Sequence, residues 1–158
     1  MPAPDVFDDP RLTTMGLLLE AHDGLLAKLA PTLKKGGLSA LDFNVLMRLS
    51  RSPGQRQRMS DLAAQTMLST SGITRVVDRL ERAELVSREP CPDDRRSTLA
   101  LLSPEGADRL RQVLPDHLEA IEHWFTGRLA AEQLDALIAG LRTLRDAVHP
   151  DAAGSPAL

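Results

Sequence analysis

The sequence predicts a mainly α-helical chain that carries one small β-hairpin. Three observations lead there. Hydrophobic residues make up 42% of the 158, yet aromatics are only 3% and tyrosine is absent. A core must therefore be built from Leu, Ala and Val, a composition that leans towards helix. Apolar residues recur at helical spacing along most of the chain, and only between residues 85 and 102 does the pattern change to two short strand-like runs.

Taken in order, Asp9-Pro10 reads as a helix cap and first helical residue. Leu18, His22, Leu25, Leu29 and Leu33 then share one face, and Gly36-Gly37 stops the helix. Pro31 falls inside this run and predicts a kink or an early end. A second helix opens at Ser39 with Asp42 three residues on, an Asp variant of the capping box, and Leu41, Val45, Leu46 and Leu49 point inward. Residues 52–58 hold turn formers and two arginines and read as a loop. Ser60 is expected to cap a short helix over 61–66. Ser69 is expected to cap one from 70 to about 83, with Ile73, Val76, Val77 and Leu80 as a single stripe. Residues 85–89 and 97–101 read as strands flanking a polar tip at 90–96. Ser103-Pro104-Glu105 restarts helix, carried by Leu110, Val113, Leu114, Leu118, Ile121 and Phe125, with Pro115 as a second expected kink. A last helix spans about 131–148, and residues 150–158 are expected to be a disordered tail.

The net charge of −3 is unevenly spread: ten arginines face seven acids between residues 48 and 98, while the rest of the chain is acidic. A basic middle between acidic ends suits one face that attracts an anion. No apolar run is long enough for a membrane span, and the acidic N-terminus lacks the order of a secretory signal. A cytoplasmic location is expected, in agreement with a lone cysteine. No phosphate-binding loop, dinucleotide fingerprint or nucleophile elbow occurs, so neither an enzyme nor a cofactor is expected. His117, Glu119, Glu122 and His123 lie close together but lack a metal-binding motif, and read as a solvated helix face.

Two short helices joined tightly and followed by a hairpin form a winged helix-turn-helix layout. The inward stripe of the second helix leaves Ser69, Thr70, Ser71, Thr74, Arg75 and Asp78 facing out. Hydroxyls and backbone amides at a helix start suit close approach to phosphate. Thr74 and Arg75, one turn in, are placed to reach base edges in a major groove. Arg95 and Arg96 at the hairpin tip suit a minor groove, with Asp94 holding the arginine or the loop in shape. Arg56, Arg58 and Arg79 complete the expected DNA-binding set. The competing reading makes these residues ordinary caps and a solvated charged turn on a protein-interaction adaptor.

From Gly37 to Leu114 the chain resembles the MarR family of bacterial regulators. Ser60-Asp61-Leu62-Ala63-Ala64 is similar to the family's third helix, and the run from Leu68 to Leu80 to its recognition helix. Asp94 and Arg96 match its Asp-x-Arg wing signature, and Leu102-Ser103-Pro104-Glu105-Gly106 its entry to the fifth helix. The resemblance implies a homodimeric repressor that binds a palindromic double-stranded operator, with half-sites about one helical turn apart. It divides the chain into dimerisation segments at 1–36 and 103–149 around a DNA-binding lobe at 37–102. The terminal segments are also too apolar for a lobe of that size to cover alone. Trp124 and Phe125 are expected in the dimer core. The resemblance further implies a small effector, such as an aromatic acid, with His22, Phe43, Met47 and Arg48 as candidate lining. Family members that sense peroxide use a cysteine near the first helix. Here the only cysteine is Cys91, between two prolines in the wing, where it is open to exposure and modification.

Overall fold

The computed structural model describes residues 6–154, with Val6 and Arg95 described by their backbone alone. Helix α1 (Pro10–Lys35) begins where the Asp9 side chain accepts from the Arg11 amide at 2.9 Å. Pro31 sits inside it and does not end it. One missing donor is offset by packing, because Leu33, two residues on, is buried in the core. Helix α2 (Ala40–Arg51) opens with the expected capping box between Ser39 and Asp42.

The segment expected to be a loop contains a strand, β1 (Arg56–Arg58), which pairs antiparallel with residues 99–101 near the base of the hairpin. Three residues are too few for alternation to register in a sequence. Arg58 is both the last strand residue and the N-cap of α3 (Met59–Gln65), so Ser60 does not cap that helix. Its hydroxyl instead donates to Asp61 within the first turn. A turn through Met67, at φ 54°, leads to α4 (Thr70–Arg82), where the Ser69 hydroxyl accepts from the Gly72 amide as expected.

Strands β2 (Val86–Cys91) and β3 (Asp94–Leu102) form the hairpin, and the sheet order is β1-β3-β2. Pairing continues to Cys91 opposite Asp94, so most of the expected polar tip is strand and only Pro92 and Asp93 turn. Pro90 is tolerated because β2 is an edge strand. An irregularity between Pro90 and Cys91 turns the cysteine inward, so that it is free but buried.

Helix α5 (Pro104–Trp124) is capped by Ser103 and runs unbroken through Pro115. It starts so close to the strand entry that a Cβ on Gly106 would lie 2.2 Å from the Leu85 carbonyl oxygen, a spacing only glycine permits. Helix α6 (Ala131–Val148) follows the predicted range. Beyond it, Pro150–Gly154 forms a 3-10 turn packed on α3 rather than the start of a disordered tail. The His149 ring donates at 3.0 Å to the Ala64 carbonyl, which also accepts from the Met67 amide at 3.2 Å in the turn that ends α3. Residues 155–158 of the expected tail lie outside the described residues.

Val45, Leu46, Leu49, Leu62, Ile73, Val77 and Leu80 are fully buried and centre the core on α2, α3 and α4. By contrast, α6 buries none of its residues, and Leu137, Ile138, Leu141 and Leu144 are exposed. Leu12, Met15, Leu17, Leu18 and Leu19 of α1 are exposed as well.

One ion pair sets α4 against α2. Arg79 reaches the buried Asp42 with Nε 3.0 Å from Oδ1 and Nη2 on the same oxygen. Burial alone would push the Asp42 carboxyl up. Hydrogen bonds from Arg79 and Ser39, with the Arg79 charge, hold it below the usual carboxylate range. A depressed folded-state pKa stabilises the fold above the ordinary value of 3.8, and that stabilisation is lost as pH falls through the folded value. Asp42→Asn should therefore cost about 1–3 kcal/mol at neutral pH, the loss of charge-assisted hydrogen bonds to a buried carboxylate. Chemical denaturation at pH 7 and between pH 5 and 2.5 checks this: the variant should show the shallower loss on acidification.

Candidate nucleic-acid interface

The inward stripe of α4 dictates what faces out. With Ile73, Val76, Val77 and Leu80 buried, Thr70, Ser71 and Arg75 are exposed, and Thr74 and Asp78 are half-buried. The Ser69 and Ser71 hydroxyls lie 3.1 Å apart at the helix start. The Thr74 hydroxyl donates to the Thr70 carbonyl at 2.7 Å. The Arg75 side chain makes no ion pair or hydrogen bond among the described residues. Arg79, grouped by sequence with this face, has its guanidinium on Asp42 and its side chain half exposed.

The wing is shaped from within. Asp94 Oδ1 accepts from the Arg96 amide at 3.0 Å and Oδ2 from the Ser97 hydroxyl at 2.7 Å. These bonds, aided by the Arg58 charge, hold its carboxyl below the usual range. Asp94 thus fixes the loop through the Arg96 backbone, and the Arg96 side chain stays exposed. The Arg95 side chain lies outside the described residues. Arg58 is half-buried and Arg56 exposed on β1.

A cleft of about 440 Å³ brings these pieces together, lined by Arg58, Ser60, Thr70, Thr74 and Arg96. Arg88 also lines it, a residue the sequence reading passed over. Strand parity carried the signal: residue 88 shares a face with the buried Val86, the face turned to α4.

A second cavity, of about 450 Å³, lies between α1, α2 and α5. Phe43 and Met47 line it, joined by His117, Leu33, Leu114 and Arg51. His22 does not reach it; its exposed ring sits 3.0 Å from Asp23. Arg48 does not line it either. It is buried, with Nε donating to Asn44 at 2.8 Å and Nη1 to Gln65 at 3.3 Å, and so ties α2 to α3. His117 corrects the expectation of a solvated face. Its ring is buried at 4.7 Å from the Phe43 ring, with Nδ1 2.7 Å from the Thr32 hydroxyl, and burial pushes its pKa down. It falls on the Leu110–Val113–Ile121 stripe, where helical periodicity placed it all along. Glu119, Glu122 and His123 are exposed, and no group of three metal-ligating side chains occurs among the described residues. Trp124 remains 39% exposed under Lys28, whose Nζ is 4.4 Å from the ring centre, while Phe125 is half-buried.

The family model described as "MarR family" matches residues 38–98, the lobe that holds this cleft. The HTH-type transcriptional regulator MhqR of Bacillus subtilis is 35% identical over 88 residues, 56% of this chain and 59% of that protein. The match thus spans under two thirds of that relative. Two solved structures extend over nearly the whole chain. AbsC, a MarR family transcriptional regulator from Streptomyces coelicolor, is 36% identical, covering 89% of this chain and 95% of its own, with a TM-score of 0.82. Sco3205 from the same organism, solved in complex with DNA, is 29% identical over 95% and 94% of the two chains, with a TM-score of 0.84. With 36% identity over 95% of one MarR family structure, the chain belongs to the MarR family of transcriptional regulators.

Proposed function

We propose that this chain is a cytoplasmic, homodimeric repressor that reads a palindromic operator and is released from it by a small aromatic acid. The observation that carries the DNA-binding part is the exposed, unpaired Arg75 on a helix whose opposite face is wholly buried, beside a braced wing bearing Arg96. Arg75 can form two parallel hydrogen bonds with a guanine edge, whereas Arg96 lies where the wing would follow the backbone or minor groove. No helix among the described residues is long and apolar enough to cross a membrane.

The two arginines should differ in energetic role. Arg75→Ala is expected to cost about 1–3 kcal/mol on a specific site and to relax sequence preference. Arg96→Ala should weaken binding to many sequences and flatten the salt dependence by about one unit of slope. Fluorescence anisotropy on the operator and on scrambled duplex, at several salt concentrations, separates the two; wild-type behaviour in both variants would overturn the DNA face.

A second copy is the occupant that suits the exposed leucines of α1 and α6, since an apolar surface of this extent is costly in water. Two copies related by a two-fold axis would set their α4 helices for half-sites about 34–36 Å apart. Leu18→Glu combined with Leu141→Glu should sediment as a monomer at micromolar concentration and lose most operator affinity. A monomeric wild type would overturn the dimer.

The cavity between α1, α2 and α5 suits an aromatic acid. Phe43, Met47 and Leu114 supply an apolar wall, neutral His117 a hydrogen-bonding edge, and Arg51 a cation. A ligand there weakens operator binding only if it prefers a lobe spacing that DNA does not accept. In a titration with benzoate and salicylate, Phe43→Ala should reduce the response to ligand more than it reduces ligand-free binding. Unchanged affinity across aromatic carboxylates would make the chain a constitutive regulator.

A further inference from the structure

We propose that Arg88 is a positioning residue that sets the wing against the recognition helix by clamping two carboxylates of α4, an assignment that rests on the DNA-reading proposal above. Arg88 projects from β2 with its side chain only 23% exposed. Nη1 lies 2.6 Å from Glu81 Oε2, and Nη2 lies 2.7 Å from Asp78 Oδ1. The same Nη2 is 3.3 Å from the Thr74 carbonyl oxygen. One planar guanidinium thus holds three points along nearly two turns of α4, a fork geometry that lysine cannot reproduce.

Two features make this clamp more than a surface ion pair. The first is leverage. The hairpin is rooted at its base, where Leu85, Val86 and Leu102 are buried, while Arg96 lies near the far end of the ribbon. At about 3.3 Å of rise per residue, a small tilt at the root moves the tip by several ångströms. Arg88 ties the outer strand to α4 above that root. The second is charge. Asp78 lines the same cleft as Thr70, Thr74 and Arg96, so a bare carboxylate there would repel phosphate. Arg88 cancels that repulsion while it fixes the angle.

The two effects predict opposite signs for one variant, and that makes the test sharp. Asp78→Asn with Glu81→Gln removes two negative charges from a face turned to DNA, which electrostatics alone would reward with tighter binding. If the clamp sets the wing, the double variant instead binds specific operator about tenfold more weakly, while binding to scrambled duplex holds or tightens. Arg88→Ala should show at least a similar loss, and combining all three substitutions, which leaves no bare carboxylate, should add no loss beyond that of the double variant and keep the wild-type salt slope. Arg88→Lys should fall between. Tighter operator binding by the double variant would overturn the proposal. So would a slope flattened by about one unit in the triple variant, where no carboxylate is left bare, because that marks a direct phosphate contact. A DNA-free arm separates this proposal from the one beneath it. Hydrogen exchange at 87–91 and 94–99 should quicken about tenfold in Arg88→Ala, with α2 and α4 unchanged. A wild type that binds no duplex defeats the DNA reading alone; unchanged wing exchange defeats the clamp whether or not DNA binds.

Discussion

Burial of a single apolar stripe on α4 is the constraint on which the rest of the lobe depends. Ile73, Val76, Val77 and Leu80 are all nearly or wholly removed from solvent. At about 1.5–3 kcal/mol for each fully buried side chain, they dominate the local energetics. Turning the helix by one residue is a rotation of about 100°. In the direction that drives Thr74 into the core, it would bring Val76 and Leu80 to the surface. The helix therefore has one orientation, and the identity of every outward residue follows from it. The tight turn through Met67 and the direct passage from β1 into α3 leave no slack upstream.

Charge then acts at finer scale, and the arginines of the basic middle divide their labour. Arg48 crosses from α2 to α3, Arg79 from α4 to α2, and Arg88 from β2 to α4. Each joins two elements, and each meets a carboxylate or amide that the neighbouring element presents. Arg75 and Arg96 instead present charge outward. The positive excess of this segment is thus partly spent inside the protein, and the field felt by an approaching anion is narrower than the composition implies. Surface ion pairs contribute little to stability as a rule. Those at Asp42 and Arg88 matter because one is buried and the other governs a lever.

Most of the fold was legible because its signals are local. Capping residues at Ser39, Ser69 and Ser103 mark helix starts within one turn, and the stripe of α4 repeats often enough to be unmistakable. What escaped depends on tertiary placement. Strand β1 exists only because β3 offers it a partner. Pro31 and Pro115 look like breaks until neighbouring helices are seen to hold the turns on either side. Within the candidate site, Thr70, Ser71 and Arg75 were readable as outward by subtraction from the stripe. Arg79 was not, since its direction is decided by a carboxylate 37 residues away. His117 was passed over because residue type outweighed position: a histidine among acids reads as solvated, although its spacing put it on the buried face. Phe43 and Met47 meet His117 in one cavity, whereas His22 and Arg48 lie elsewhere, and only the packing of three helices separates the two pairs.

The division of α4 into two faces has a consequence for how such a protein changes over time. Thr70, Ser71 and Arg75 are exposed, so substitutions there carry little penalty in folding. Their neighbours on the stripe admit almost none. Address and scaffold are thereby separable on one helix of 13 residues. A gene copy can drift towards a new target through a handful of surface changes while its fold stays intact. A designer who wishes to retarget the protein inherits the same freedom.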